Sequence, residues 1–101
     1  MTGLDCIAAL KALGEETRLR ILRLLFQKPL SVNDISRHLR VSQYNTSKHL
    51  RVMREAGLLE SEKRGKQHLY SVSRKIKKQV VENDNILDLG CCTFRLRQLP
   101  D

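Results

Sequence analysis

The stretch Ser31-Val32-Asn33-Asp34-Ile35-Ser36-Arg37-His38-Leu39-Arg40-Val41-Ser42-Gln43-Tyr44-Asn45-Thr46-Ser47-Lys48-His49-Leu50 holds two helix starts in close succession. Ser31 opens the first, with Asp34 placed for a weak capping box, and Ile35 and Leu39 give it one apolar side. Ser42 opens the second after only Arg40 and Val41. Its pattern runs to about Ala56, where Gly57 supplies a C-terminal cap. Two short helices split by so tight a turn predict a helix-turn-helix.

Working outward, the period changes from helical to alternating after Gly57. Leu58-Leu59-Glu60-Ser61-Glu62 and His68-Leu69-Tyr70-Ser71-Val72 read as strands, joined by the charged turn Lys63-Arg64-Gly65-Lys66-Gln67. A β-hairpin directly after a helix-turn-helix is a wing. Upstream, Leu4, Ile7, Ala8, Leu10 and Leu13 recur at helical spacing up to Gly14. Leu19, Ile21, Leu22, Leu24 and Leu25 form a second helix, apolar nearly all round and ended by Lys28-Pro29. Ser73 starts a last helix through Arg74, Ile76, Val80 and Val81, ending near Asn83-Asp84-Asn85. From Cys92 onward the tail alternates, which predicts an extended segment. The expected fold is mostly α with a small β-hairpin wing, an α+β winged helix-turn-helix. Residues 1–101 form one domain, of which 86–101 are a tail.

Lys and Arg outnumber Asp and Glu by 19 to 11, a formal charge of +8, which favours an anionic partner. The chain has no apolar run long enough to span a membrane and no basic n-region followed by an apolar stretch at Met1-Thr2-Gly3-Leu4-Asp5. A cytoplasmic location and mostly reduced thiols are the expectation. The 3 cysteines make no disulfide framework, so they are packing residues, metal ligands or redox groups.

On the helix opened by Ser42, the side chains of Gln43, Tyr44, Ser47, Lys48 and Arg51 share one side, while Thr46, Leu50 and Met53 face another. The second set suits a core. The first offers an amide, hydroxyls and cations: Gln pairs with adenine, while hydroxyls and cations hold phosphates. Lys63, Arg64 and Lys66 at the wing tip add charge beside the groove, with strong salt dependence as the consequence. The partner predicted is double-stranded operator DNA, contacted by Ser42, Gln43, Tyr44, Ser47, Lys48, Arg51, Lys63, Arg64 and Lys66.

Leu10-Lys11-Ala12-Leu13-Gly14-Glu15-Glu16-Thr17-Arg18-Leu19-Arg20-Ile21-Leu22 resembles the second-helix signature of the ArsR/SmtB family of metal-responsive repressors. Ser42 to Leu50 resembles that family's recognition helix, and Arg54-Glu55-Ala56-Gly57-Leu58-Leu59 its helix-to-wing junction. The resemblance spans roughly residues 8 to 72. It implies a homodimer built through the first and last helices, groove contacts from Gln43, Tyr44, Ser47 and Lys48, and release from the operator by an inducer. Tyr44 departs from the small polar residue usual there. His49 stands where arginine, histidine or glutamine is common, and either touches phosphate or packs against the preceding helix.

The family's paired thiols in the third helix are absent, since Leu30-Ser31-Val32-Asn33-Asp34 occupies that stretch. Its zinc site on the last helix is unsupported too, because Arg74 to Asn83 contains no histidine, and His38 and His68 stand alone. Cys91, Cys92 and Cys6 remain as candidate ligands for trivalent arsenic or antimony, or another thiophilic metal ion, acting as inducer. Arg95 and Arg97 lie close enough in sequence to lower a thiol pKa. Against chelation, adjacent side chains in an extended segment face opposite ways unless Gly90 bends the chain, and Cys92, Phe94 and Leu96 form one apolar row. A redox or sulfide sensor using the same thiols, and a DNA-binding protein without inducer, stay open. An enzyme is disfavoured by the lack of a phosphate-binding glycine loop or HExxH-type motif. A protein- or RNA-binding winged helix is disfavoured by the retained polar face. A membrane-surface role is disfavoured because Arg74, Lys75, Lys77 and Lys78 have only Ile76, Val80 and Val81 beside them.

Overall fold

The computed structural model describes residues 5–100; Leu4, expected on the first helix, lies outside them, as does the terminal Asp101. Helix α1, Cys6–Leu13, starts at Asp5, whose carboxylate accepts the N–H groups of Ile7 and Ala8. Those donors have no partner within the helix, so the cap supplies one. Glu15 repeats the device for α2, Glu16–Gln27, accepting from Thr17 and Arg18. Ile21, Leu22, Leu24 and Leu25 are buried, and nothing from Thr17 to Phe26 is fully exposed, as the all-round apolar pattern predicts.

A short strand, β1, Leu30–Ser31, was not legible in the sequence. Helix α3, Val32–Leu39, is capped by Ser31, whose Oγ accepts the Asp34 N–H at 3.2 Å. The Asp34 carboxylate does not close the box; it pairs with Arg37 at 2.6 Å. Arg40 then takes a left-handed conformation, φ 58°, and Ser36 holds the turn. Its carbonyl accepts the Val41 N–H and its hydroxyl donates to the Val41 carbonyl. Helix α4, Gln43–Glu55, follows with Ser42 as its cap. Its end is closed by Gly57 N–H to the Arg54 carbonyl and Leu58 N–H to that of Met53. This closure requires a left-handed residue, met by Gly57 at φ 82°.

The wing consists of β2, Leu59–Arg64, and β3, Gln67–Val72, paired from Leu59 with Val72 to Arg64 with Gln67. It is longer than the sequence predicted. The five-residue turn shrinks to Gly65-Lys66, because Lys63, Arg64 and Gln67 join the ladder. Two-residue loops match the natural twist of paired strands. β1 adds to the other side of β3, giving the order β1-β3-β2. Helix α5, Arg74–Glu82, has Ser73 at its cap position without a side-chain bond; Glu60 of β2 accepts the Arg74 N–H at 3.1 Å instead.

Beyond α5 the chain turns through Asp84 and Asn85, both left-handed, into a second hairpin of β4, Ile86–Asp88, and β5, Thr93–Arg95. The expected extended segment therefore ends at Arg95, where a 3₁₀ turn, Leu96–Gln98, takes over. Leu87, Leu89 and Leu99 are buried in the same core as Leu13, Leu22 and Leu50. Polar clamps fix the hairpin. Gln79 of α5 donates to the Asp88 carbonyl at 2.8 Å and accepts its N–H at 3.2 Å, and Arg23 of α2 donates to the Arg97 and Leu99 carbonyls. No helix among the described residues is long and apolar enough to cross a membrane.

Candidate nucleic-acid interface

Helix α4 is divided as its sequence predicts. Thr46, Leu50 and Met53 are buried, while Ser42, Gln43, Tyr44, Ser47, Lys48 and Arg51 are exposed. The buried side rests on α1, α2 and α3. The exposed side is charged, and Arg51 is offset only by an exposed pairing with Glu55 at 3.8 Å. Such solvated pairs add little stability and exchange readily for phosphate.

Polar contacts hold α4 near its start, in mid-helix and near its end, where Arg54 donates to Ser61 Oγ of β2 at 3.4 Å. Near its start, Gln43 Nε2 donates to Asn33 Oδ1 on α3. Asn33 also lines a cleft with Lys66, Gln67 and His68 of the wing, so the first turn of α4 and the wing lie on one side of the molecule. Sequence reasoning gave Asn33 no role and placed His68 on the second wing strand, weighing it only as a metal ligand. In mid-helix, His49 is half-buried, with Nδ1 3.3 Å from Arg18 and 3.5 Å from the Glu15 carboxylate. These contacts are to the start of α2, not to the preceding helix α3 that the sequence suggested as its packing partner. Arg18 also donates from Nε to the Ala12 carbonyl, so one guanidinium ties the end of α1 to the recognition helix. Burial raises the Glu15 carboxyl. The N–H groups of Thr17 and Arg18, and the charges of His49 and Arg18, more than offset it and hold Glu15 below the ordinary glutamate range.

At the wing, Lys63, Arg64 and Lys66 are all exposed, and Arg64 makes only a solvated pair with Glu62 at 3.4 Å. Recognition helix and wing thus present an amide, hydroxyls and cations on one polar surface.

The cysteines lie elsewhere. Cys6 begins α1 and is joined to Cys91 in a disulfide, with Cα atoms 6.1 Å apart. Gly90, at φ 93°, bends the chain so that Cys91 reaches α1, and the Cys91 N–H donates to Cys6 Sγ at 3.0 Å. The expectation of reduced thiols therefore holds only for Cys92, which is half-buried against the core with Phe94 and Leu96. The three sulfurs do not converge: adjacent residues at this bend face opposite ways, so Cys91 turns outward and Cys92 inward. Among the described residues no group of three or more His, Cys, Asp and Glu side chains could hold a metal ion. The clefts lined by His38 and by His68 contain no cysteine.

Residues 15–61, from the cap of α2 into the wing, match the family model for bacterial regulatory proteins of the arsR family. The transcriptional activator HlyU of Vibrio cholerae serotype O1 is 36% identical over 76 residues, covering 75% of this chain and 70% of that protein. The arsenical resistance operon repressor of Staphylococcus aureus is 32% identical over 79 residues, 78% of this chain and 76% of the repressor. Among solved structures, reduced HlyU from Vibrio cholerae superposes with a TM-score of 0.67 at 35% identity, covering 76% of this chain and 81% of that one. The homodimeric winged helix-turn-helix DNA-binding domain of Mb0332 from Mycobacterium bovis gives 0.68 at 26% identity, covering 77% and 78%.

Proposed function

This chain belongs to the arsR family of bacterial regulatory proteins, and from that premise we propose that it is a dimeric operator-binding repressor whose release is controlled by the Cys6–Cys91 thiol pair. The single observation that carries the DNA-binding part is α4. Its core side is fully sequestered, while Gln43, Tyr44, Ser47, Lys48 and Arg51 stand in solvent beside a basic wing. In this reading Ser42, Gln43, Tyr44 and Ser47 enter the major groove, and Lys48, Arg51, Lys63, Arg64 and Lys66 hold phosphates. The dimer forms through α1 and α5, where Ile7 and Val81 remain 56% and 71% exposed in the single chain. Such apolar groups are the ones a partner copy buries.

The control reading rests on the disulfide. Closing it removes two protons and two electrons from the thiols of Cys6 and Cys91; hydrogen peroxide accepts both and leaves as two waters. A route to the DNA face exists, since α1 begins at Cys6 and ends at Ala12 and Leu13, where Arg18 links it to His49 on α4. Trivalent arsenic or antimony is the second reading, favoured by the same convergence of two sulfurs. Arriving as the trihydroxide and bridging the reduced pair, it makes two sulfur bonds, and the two displaced hydroxides leave with the thiol protons as two waters. Cys92 takes part in neither.

The test is duplex binding of the reduced protein to its own promoter, with peroxide, a persulfide donor, arsenite or antimonite added. Release of the wild type, lost in Cys6→Ser and Cys91→Ser but kept in Cys92→Ser, is expected. The effective reagent distinguishes oxidation from metalloid capture. Equal release of the Cys6→Ser/Cys91→Ser double variant would remove the thiol pair from control. Absence of sequence-preferring binding would remove the repressor reading itself.

A further inference from the structure

Tyr44 is the most exposed large side chain with apolar character among the described residues, at 73%. It stands in the first turn of α4, the end of a recognition helix that meets base edges. Its hydroxyl bonds to no other described residue, so the ring is not held out for an internal partner. The Lys48 ammonium lies 5.3 Å from the ring centroid. That cation braces one face of the ring and leaves the rest open. Beside it Gln43 is tied to Asn33, so the polar neighbour of the ring is also fixed in place.

An aromatic ring left in water at this end of the helix gains apolar burial when it meets an apolar group on the DNA. In the major groove the one apolar feature of an unmodified base pair is the 5-methyl of thymine. We propose that Tyr44 reads a thymine methyl, making it a specificity-determining residue. This rests on the DNA-binding reading above but not on the thiol reading. Lys48 has two tasks in this arrangement, holding the ring and meeting the adjacent phosphate.

The experiment starts from duplexes that the reduced wild-type protein selects out of a random-sequence pool. Each thymine is replaced in turn by deoxyuridine, which removes the methyl and nothing else. At one position per half-site the affinity falls about fourfold, the order set by burying a single methyl group, and about fifteenfold with both half-sites changed. Tyr44→Phe keeps that sensitivity. Tyr44→Ser binds more weakly and no longer distinguishes thymine from uracil at that position, with helix content checked by circular dichroism. Sensitivity that survives in Tyr44→Ser, or a selected duplex with no sensitive thymine, overturns the assignment. A loss of affinity in Tyr44→Phe without uracil sensitivity overturns it in favour of a phosphate contact through the hydroxyl. Failure of the wild type to select any sequence overturns the DNA-binding reading along with it.

Discussion

The winged helix-turn-helix from Glu16 to Val72 and the C-terminal hairpin from Ile86 to Arg95 are held by different kinds of contact. In the first, each element carries its own instructions. Glu15, Ser31 and Ser42 cap α2, α3 and α4, Gly57 closes α4, and alternation sets the wing. In the second, the turn is local, with Gly90 N–H donating to Asp88 and Leu89 N–H to the Cys92 carbonyl, but the attachment to the rest of the protein is not. The hairpin is bound by Cys6 from α1, Arg23 from α2 and Gln79 from α5, and its leucines join a core built by other elements. The family match covers 15–61 and so contains none of the cysteines. The difference separates the unit that the family model matches from an attachment outside it that carries Cys91 and Cys92.

The largest expected effect tests that attachment. The Cys6–Cys91 bridge spans a separation of 85 residues. A loop of that order contributes about 4 kcal/mol by restricting the unfolded chain. Denaturation with and without reductant measures it, and a change below about 1 kcal/mol would show that packing alone holds the hairpin. Next come two fully buried leucines, one in each region. Leu50→Ala and Leu87→Ala should each cost about 3 kcal/mol. A single shared transition would join the regions into one cooperative unit; a second transition in Leu87→Ala alone would divide them. On DNA the regions should part company. Gln43→Ala should weaken operator binding by about 2 kcal/mol and relax its sequence preference, whereas Leu87→Ala should leave the preference intact.

Smaller effects probe the reading unit itself. The Thr46 hydroxyl is buried with no hydrogen-bond partner among the described residues. Thr46→Val should therefore raise stability by about 1 kcal/mol, since it removes an unsatisfied group; destabilisation would reveal a partner for the hydroxyl. Ser42 bonds the Asn45 N–H at 3.1 Å, while Ser73 makes no side-chain cap bond. Ser42→Ala should cost about 1 kcal/mol and Ser73→Ala clearly less. Equal losses, measured by thermal melting, would undo the distinction.

Most of the reading unit was legible in the chain. Apolar spacing placed Thr46, Leu50 and Met53 inside and left Gln43, Tyr44, Ser47, Lys48 and Arg51 outside, because a helix long enough to show its period can bury only one face. The hairpin turn was drawn too long, since charge at Lys63 and Arg64 resembles a loop although the backbone there pairs as strand. Asn33 was invisible as a partner of Gln43, because the contact joins two helices and leaves no mark in either pattern.

The sequence by itself determined the five helices in their order, the polar face of α4 and the presence of a basic wing, since caps, periodicity and charge act over a few residues. Only the tertiary structure decided which sulfurs meet. The bend at Gly90 carries Cys91 to the start of α1 and turns Cys92 into the core. The tertiary structure likewise brought His49 of α4 against Arg18 and Glu15 at the start of α2. Both outcomes depend on chain segments remote in sequence that approach only once the common core has closed.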